Sequence, residues 1–516
     1  MTSADDAAPG RVSPWRQAMW ILGASTLLRL ILGAVVPLFP DETYYWEWSR
    51  RLTGGYFDHP PMIAVLIAGG TALLGDTPLG VRLLPILAGT FAGYWLVRAA
   101  CHLAGPLAAR FAALTFAVLP LAAAGLVLAT PDAPLLAGVA WTLYAVARAL
   151  DVEDAEYPTS TYWIVAGVAI GGAMASKFTG VFIPIAIVVA MLSYQPLRVR
   201  LAEPGPWLAV AVATLAMVPV LWWNAQHDWI AFRFQIGHGL GTTARGTWYL
   251  RELELIGGQM GLVTPILFFL LVGAVWKALR APREPVRFTL AVVATCCALF
   301  FAYSATRRSV EANWPAIAWM PAILLLASAR EGLRTAWERW ALWLAGGLAA
   351  VALVHVVTPI VPLSARRDQV SKAHGWERLA ASVDSARRET GAREDVILAA
   401  NRYQDAAMLA FHLRDHPTVF SLNLGARPNQ YDLWPRFSGR AARGASLLLV
   451  LEEPSAGLPG PIQRLHGHFA AIERGPLIRL TRRSLTRGNE YVGRRRIWTL
   501  SNWAGTWPAD STTRPQ

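Results

Sequence analysis

Cysteine is nearly absent from this chain. Only Cys101, Cys296 and Cys297 occur in 516 residues, all in or beside apolar runs, and no pair has the spacing of a metal or redox motif. That excludes zinc ribbons, thioredoxin-like sites and disulfide scaffolds, and the cysteine-free C-terminal part must stand on its own core. Charge is scarce as well: 16% of residues are charged against 54% hydrophobic, with a mean hydropathy of +0.36. An ordinary soluble domain carries about 25% charged residues, so much of this chain belongs in lipid. No internal repeat, low-complexity linker or DxD-type nucleotide-sugar element is apparent. The N-terminal MTSADDAAPGRVSPWRQ lacks the small-residue cleavage site of a secretory signal, and the first apolar run is expected to remain as an anchor.

What the chain has instead is clustered apolarity. Runs of about 20 apolar residues recur from Trp20 to about Pro359, and beyond that the composition becomes ordinary. Spans near 17–39, 80–101, 108–129, 132–149, 162–176, 178–194, 206–223, 254–278, 287–304, 313–329 and 337–360 predict about eleven helices. Under this count Arg11, Arg16, Arg98, Arg110, Arg198, Arg200, Lys277, Arg280, Arg283, Arg287, Arg330, Arg334 and Arg339 all fall on one side. The positive-inside rule makes that side cytoplasmic. The loop 40–61, Asp132, Lys177, the segment 224–254 and the tail then face outward. The net charge of +13 is accounted for by these helix ends and by the tail. It calls for anionic membrane lipid as a partner rather than nucleic acid.

The loop after the first span, PDETYYWEWSRRLTGGYFDHPP, gathers Asp41, Glu42, Glu47, Asp58 and His59. Acids at a membrane face are costly unless they find partners or do chemistry. Pro40 is expected to stop the first helix and leave Asp41 and Glu42 at the boundary, as a general base or as a solvated helix end. Tyr44, Tyr45, Trp46 and Trp48 suit an interfacial aromatic belt or sugar stacking. The turn-rich 54–61, with Tyr56, Asp58 and His59, leads into Met62 to Leu74, an apolar run of 13 residues that is too short to span and is expected to lie in the interface. Asp58 and His59 suit a phosphate, a metal or each other.

Farther along, Asp132 in ATPDAP reads either as a helix N-cap or as a second catalytic acid. Lys177 in ASKFTG interrupts about 30 apolar residues, a placement that a bound anion explains better than snorkelling. Asn224, His227, Arg233 and His238, among Trp222, Trp223, Trp229, Phe232 and Phe234, mix rings, amides and cations suited to sugar and phosphate. Arg307, Arg308 and Asn313 form a second cationic turn.

These stretches in their order resemble a known family. PDETYYWEWSRRLTGGYFDHPP with its following apolar run, then ATPDAPLL, ASKFTGV, WWNAQHDW and RRSVEANWP, resembles the bacterial branch of the protein O-mannosyltransferase-like superfamily. It is similar to the lipid A aminoarabinose transferases and other GT-C glycosyltransferases, over about residues 17 to 330. The resemblance implies a multi-span membrane enzyme that uses a polyprenyl-phosphate sugar on the external face. It implies Asp41 as the catalytic carboxylate, with Glu42 and Asp132 as further acids. The family's aromatic-acid-basic-Pro element falls on Phe57 to Pro60. There His59 stands where the aminoarabinose transferases have lysine, and Asp58 where they have glutamate, so the aminoarabinose donor is not implied.

The donor's chemistry then assigns Lys177, Arg307, Arg308, His59 and Arg233 to the phosphate, and Tyr45, Tyr56, Asp58, Asn224, His227 and Asn313 to the rest of the substrate. No cofactor is called for by a motif, and a divalent metal stays open. The acceptor is an envelope glycolipid, lipid A, a polysaccharide or a protein. A transporter or flippase is the rival from another class, and an envelope scaffold a third.

The expected architecture is a multi-span α-helical membrane domain over 1–362, with an external first loop 40–79. A soluble, extracytoplasmic α/β domain follows over 363–516. In that tail, helices are expected at 376–388 and 403–413, and strands at 396–399, 419–422 and 446–451, with further β-like runs to Trp498. The segment Arg427 to Trp434 is expected to be a surface turn or a loop that closes over the acceptor.

Overall fold

The computed structural model describes residues 12–151, 157–241, 247–280, 284–329, 335–390 and 396–508. Arg11, Arg283, Arg330 and Arg334, named above among the cytoplasmic cations, lie outside the described residues. The helices up to the tail are α1 (Pro14–Val35), α2 (Pro40–Ser49), α3 (Met62–Leu74), α4 (Pro78–Val118), α5 (Pro120–Ala123), α6 (Asp132–Leu150), α7 (Thr159–Ser176), α8 (Phe182–Ser193), α9 (Gln195–Arg198), α10 (Pro204–Gln226), α11 (Ile230–Leu240), α12 (Trp248–Val263), α13 (Pro265–Arg280), α14 (Pro285–Arg307), α15 (Ala316–Ser328) and α16 (Ala336–Val357). The chain divides into two compact units, Met1–Ala34 with Leu52–Leu353, and Val35–Arg51 with Val354–Gln516.

The first unit is helical. Among the described residues six helices are long and apolar enough to cross a membrane, α1, α4, α6, α10, α14 and α16, and the number rises to eight if two bent pairs each count as one span. This is a multi-pass membrane protein with fewer such helices than the eleven spans that hydropathy predicts, although α4 itself breaks at Ala104 and Gly105, between the expected spans 80–101 and 108–129. The difference has local causes. The expected single span 254–278 is two helices, α12 and α13, bent by 102°. Thr264 adopts φ +68 directly before Pro265, and proline both lacks an N–H and disfavours helical backbone in the residue before it. The expected span 108–129 stops at Val118 for the same reason. Leu119, ahead of Pro120, is extended at φ −61 and ψ 126. Pro40 was expected to end the first helix. It opens α2 instead, because its fixed φ suits the first helical position and its missing N–H is one that a helix start leaves unbonded anyway.

Helices α6, α7 and α10 approach closely because small residues meet at their contacts. A Cβ on Gly138 of α6 would lie 2.6 Å from the Ala173 backbone nitrogen of α7, and one on Gly171 would lie 2.5 Å from Ala216 Cβ of α10. Close backbone approach of this kind holds membrane helices together by packing alone. Gly138→Val is therefore expected to destabilise the unit by about 1–3 kcal/mol through overpacking. A fall in the melting temperature of the detergent-purified chain would record it, and an unchanged melting temperature would refute it.

The second unit holds α2, α17 (Trp376–Thr390), β1 (Val396–Ala400), α18 (Tyr403–His412), β2 (Val419–Ser421), α19 (Phe437–Arg440), β3 (Ser446–Glu452), α20 (Gly460–Leu465), β4 (Phe469–Ser484) and β5 (Gly488–Trp503). The strands form one mixed sheet in the order β2-β1-β3-β5-β4. It is parallel from β2 to β3 and antiparallel beyond. Leu447, Leu449, Leu451, Trp498 and Leu500 build its core with Phe437, Phe469 and Trp503. Helix α2 packs on α18: Trp46 meets Phe411 edge-on at 5.1 Å, and Arg50 donates to the His416 carbonyl at 2.8 Å.

Where α16 ends, a buried ionic knot ties the chain to the hairpin. His355 Nδ1 accepts the backbone N–H groups of Ile360 and Val361, both at 3.1 Å, so its proton sits on Nε2 and faces Asp368 at 3.0 Å. Arg482 reaches Asp368 on one side and Glu490 on the other, the latter at 2.7 Å. Burial pushes the Asp368 carboxyl up, but the bonds from Arg482 and the Val370 N–H outweigh it, and the net direction is down. A carboxylate whose folded pKa is depressed adds stability that is full above its unfolded value, about 3.9, and is lost as pH falls through the folded value. The melting temperature is therefore expected to drop below about pH 4. Asp368→Asn should flatten that limb, and an equal slope in the variant would show that other groups carry it.

Candidate active site

In the first unit three polar side chains distant in sequence converge. Asp132 is the first residue of α6, Lys177 follows α7 directly, and Asn313 lies in the turn before α15. Lys177 Nζ donates to Asp132 Oδ1 at 2.7 Å, and Asn313 Nδ2 donates to Asp132 Oδ2 at 2.6 Å. Both carboxylate oxygens are thus engaged, and the two ion-paired side chains are 9% and 14% exposed. The N-cap role open to Asp132 in the sequence is not the one it takes: no side-chain cap bond forms, and the carboxylate serves the lysine and the amide. An ammonium has three donors. Among the described residues Lys177 spends one of them on Asp132, which leaves two for an incoming anion.

The turn that presents Asn313 is held from behind by residues the sequence did not single out. Buried Gln259 of α12 donates to the Ala312 carbonyl at 2.8 Å and accepts from the Trp319 indole at 2.9 Å. Buried Arg251, also on α12, donates to the carbonyls of Ala305 and Thr306 and so satisfies the C-terminal end of α14, just before Arg307 and Arg308. A glutamine and an arginine inside apolar helical stretches were the available signal, since polar groups there need partners.

The Tyr56 to Pro61 stretch packs against α10 and α11. A Cβ on Gly54 would lie 2.5 Å from the Pro219 carbonyl oxygen, and one on Gly55 2.8 Å from the Trp223 ring. The glycine pair is needed for this contact as well as for the turn. Tyr56 is buried, its N–H bonds the His59 carbonyl at 3.1 Å, and burial pushes its phenol up. Phe57 packs on Phe234 at 4.8 Å, and Gln235 donates to the carbonyl of the buried Asp58 at 2.6 Å. Consecutive left-handed residues, Asp228 at φ +52 and Trp229 at φ +58, turn the chain from α10 into α11. At that corner Asn224 is fully buried and donates to Val220, and His227 stacks on Trp223 at 4.1 Å. Arg233 is exposed on α11, while His238 lies 5.3 Å from the Trp314 ring. Arg307 covers the Tyr303 ring at 5.2 Å, and Arg308 donates to the Gly237 carbonyl at 3.4 Å, tying the second cationic turn to α11.

In the second unit the acidic pair occupies the first turn of α2, where the helix dipole favours negative charge. The two acids differ in setting. Glu42 is buried and accepts the Phe39 N–H at 2.9 Å as part of the helix start, whereas Asp41 is exposed. Tyr45 meets Trp48 edge-on at 4.9 Å. The segment Arg427 to Trp434 is more than a surface turn. Gln430 and Tyr431 are buried, the Gln430 N–H bonds the Tyr44 hydroxyl at 2.7 Å, Tyr44 packs on Tyr403 at 4.4 Å, and Arg51 covers Trp434 at 4.3 Å. This tail segment therefore builds the wall against which the Asp41 helix rests. Among the described residues no group of three or more His, Cys, Asp or Glu is placed to hold a metal ion.

Residues 58–223 match the family described as dolichyl-phosphate-mannose-protein mannosyltransferase. The chain is 28% identical over 416 residues to the lipid A galacturonosyltransferase RgtD of Rhizobium johnstonii, covering 78% of this chain and 83% of the relative. Its fold is similar to that of ArnT from Cupriavidus metallidurans, solved bound to undecaprenyl phosphate, with a TM-score of 0.63 at 17% identity over 96% of this chain and 99% of that one. A mycobacterial arabinofuranosyltransferase, AftD, is similar at a TM-score of 0.51 and 15% identity, over 95% of this chain and 40% of the other.

Proposed function

We propose, for a chain that is a membrane glycosyltransferase of the GT-C type, that it moves a sugar from a polyprenyl-phosphate carrier to a lipid A-like glycolipid on the external face of the bacterial inner membrane. The observation that carries this is the Lys177–Asp132–Asn313 group. It is a nearly buried cation, fixed by a carboxylate that is itself fixed by an amide, with donors left for an anion. A polyprenyl phosphate becomes a good leaving group once its charge is held. The undecaprenyl phosphate in ArnT supports that carrier, and the activity of RgtD supports lipid A over a polysaccharide or a protein as acceptor.

Each residue then has a stated task. Lys177 holds the departing phosphate, with Arg307, Arg308, Arg233 and His59 as the further cations. Asp132 and Asn313 orient the lysine. Asp41 takes the proton of the acceptor hydroxyl as its oxygen bonds to the anomeric carbon. The bond from that carbon to phosphate breaks in the same step and its electron pair leaves with the phosphate, so the configuration inverts. Tyr45, Tyr56, Asp58, Asn224 and His227 are assigned to the sugar and its carrier. The sequence departures at Asp58 and His59 favour a donor other than aminoarabinose, and RgtD supports a uronic acid.

Mass spectrometry of envelope glycolipids and glycoproteins tests this in cells with the native chain, with Asp41→Ala and without the gene. A sugar-sized mass present on lipid A in the first and missing from both others is the expected result. If no envelope species changes while a lipid-linked sugar shifts sides of the membrane, the chain is a flippase and the transfer reading fails.

A further inference from the structure

The residues assigned to transfer leave the tail's charge unexplained. Residues 363–516 hold 23 Lys and Arg against 14 Asp and Glu, so +9 of the chain's +13 lies there, and all but one of those cations are arginine. Many are spent inside the unit, as Arg495 is on Asp405 and Arg496 on Glu453. The β4–β5 hairpin differs. Arg479 is exposed and stands directly opposite Arg494 in the ladder, and Arg494 turns its guanidinium to the Glu453 and Pro454 carbonyls, at 3.2 and 2.7 Å. Arg483 is exposed four residues farther along, and Arg487 lies in the hairpin turn, where it also reaches Glu490 at 3.6 Å. Between these two cations Leu485 is 73% exposed.

The turn's position explains this pattern. Ser484 Oγ and the Leu485 N–H both donate to the Pro359 carbonyl, at 3.1 and 3.2 Å, and Arg487 donates to the Pro362 carbonyl at 2.9 Å. Pro359 is two residues beyond Val357, the last residue of α16. That helix has 22 residues, so it measures about 33 Å and matches a hydrocarbon core of about 30 Å. Trp337, Trp340 and Trp343 are exposed at one end of it and Val351, Val354 and Val357 at the other, so its lipid-facing stripe runs to the C-terminal end. Two residues reach at most about 7 Å, and the headgroup zone extends about 5–7 Å beyond the hydrocarbon. With α16 as a span, these lengths put the hairpin turn within reach of the headgroup zone, and Arg482 of the same hairpin donates to the carbonyl of the exposed Leu363 at 3.3 Å.

We propose that the β4–β5 turn is a membrane-docking surface: Leu485 enters the acyl boundary of the leaflet at the C-terminal end of α16, and Arg483 and Arg487 bind anionic phospholipid headgroups. The assignment rests on α16 as a span and is independent of the transferase reading. The pairing of a large exposed apolar residue with flanking arginines is what such a surface requires, and the Leu485 side chain, 73% exposed, lies outside the folded core.

The test uses the full-length chain with Cys101, Cys296 and Cys297 replaced by Ala, Leu485→Cys carrying a nitroxide, and nanodiscs of phosphatidylcholine with or without phosphatidylglycerol. In phosphatidylglycerol the label is expected to meet oxygen in preference to a water-soluble nickel chelate, while a label at Glu473, farther up the same hairpin, shows the reverse. Arg483→Glu with Arg487→Glu should return the Leu485 label to water, each arginine shifting the balance about fivefold. A photoreactive benzoylphenylalanine at Leu485 in the chain with its own cysteines should crosslink to phospholipid, which covers the case of a cysteine-free chain that does not fold. Equal water exposure at Leu485 and Glu473 overturns the proposal. Immersion indifferent to phosphatidylglycerol and to the arginines overturns the headgroup assignment, and immersion only after acceptor glycolipid is added makes the surface an acceptor contact instead.

Discussion

Asp41→Asn is expected to lower sugar transfer by about 10²–10⁴-fold, the usual contribution of a general base, while leaving protein level and melting temperature nearly unchanged. Asparagine keeps the size and polarity of the side chain, and loss of one charge from the first turn of α2 costs about 0.3–1 kcal/mol at most. The measurement is single-turnover transfer in nanodiscs with lipid-linked donor in excess. Its pH profile matters as much as its rate: the limb that reports ionisation of the base should vanish in the variant. Glu42→Gln is the contrasting control. Because Glu42 accepts the Phe39 N–H and is buried, its loss should act mainly on stability, by about 1 kcal/mol. Native transfer by Asp41→Asn would remove Asp41 from the mechanism.

The second large effect is expected at Lys177. Lys177→Met leaves the half-buried Asp132 with Asn313 as its remaining side-chain partner among the described residues, and since breaking a fully buried pair from one side costs about 3–5 kcal/mol, a loss at or below the lower end of that range is expected. Transfer should fall with it, since the cation for the phosphate is gone. The double variant Lys177→Met with Asp132→Asn separates the two consequences. Removing the uncompensated charge should restore much of the stability, with a coupling of about 0.5–3 kcal/mol, while transfer stays lost. Recovery of transfer together with stability would mean that Lys177 only holds the bundle, and the phosphate would need another partner.

Several elements were legible in local pattern. The apolar run Met62 to Leu74 is α3 with those bounds, and the tail strands expected at 396–399 and 446–451 appear as Val396–Ala400 and Ser446–Glu452. Runs bounded by turn residues leave the chain little choice, because a continuous apolar stretch must be buried wherever it lies. The span over 254–278 was misjudged because hydropathy averages across Thr264 and Pro265, whose backbone geometry breaks the helix without lowering its apolarity. Pro40 was misjudged because a proline beside a helix serves as a stop or as a start, and the residues that choose between these are its neighbours in space.

The site divides in the same way. Scarce charge, only three cysteines and long apolar runs determined a membrane protein without a cysteine metal motif or a disulfide frame. The expense of a lysine inside apolar sequence marked Lys177 before any partner was known. Which groups stand beside it was decided only by folding. Asp132, Lys177 and Asn313 are 45 and 136 residues apart in turn, and they meet because Gly138 lets α6 and α7 close and Gln259 holds the turn before α15. The same holds for the buried wall formed by Gln430 and Tyr431 behind α2. Composition and period act along the chain and can be read from it. A partner across a bundle is chosen by packing, to which each single stretch of sequence contributes only one surface.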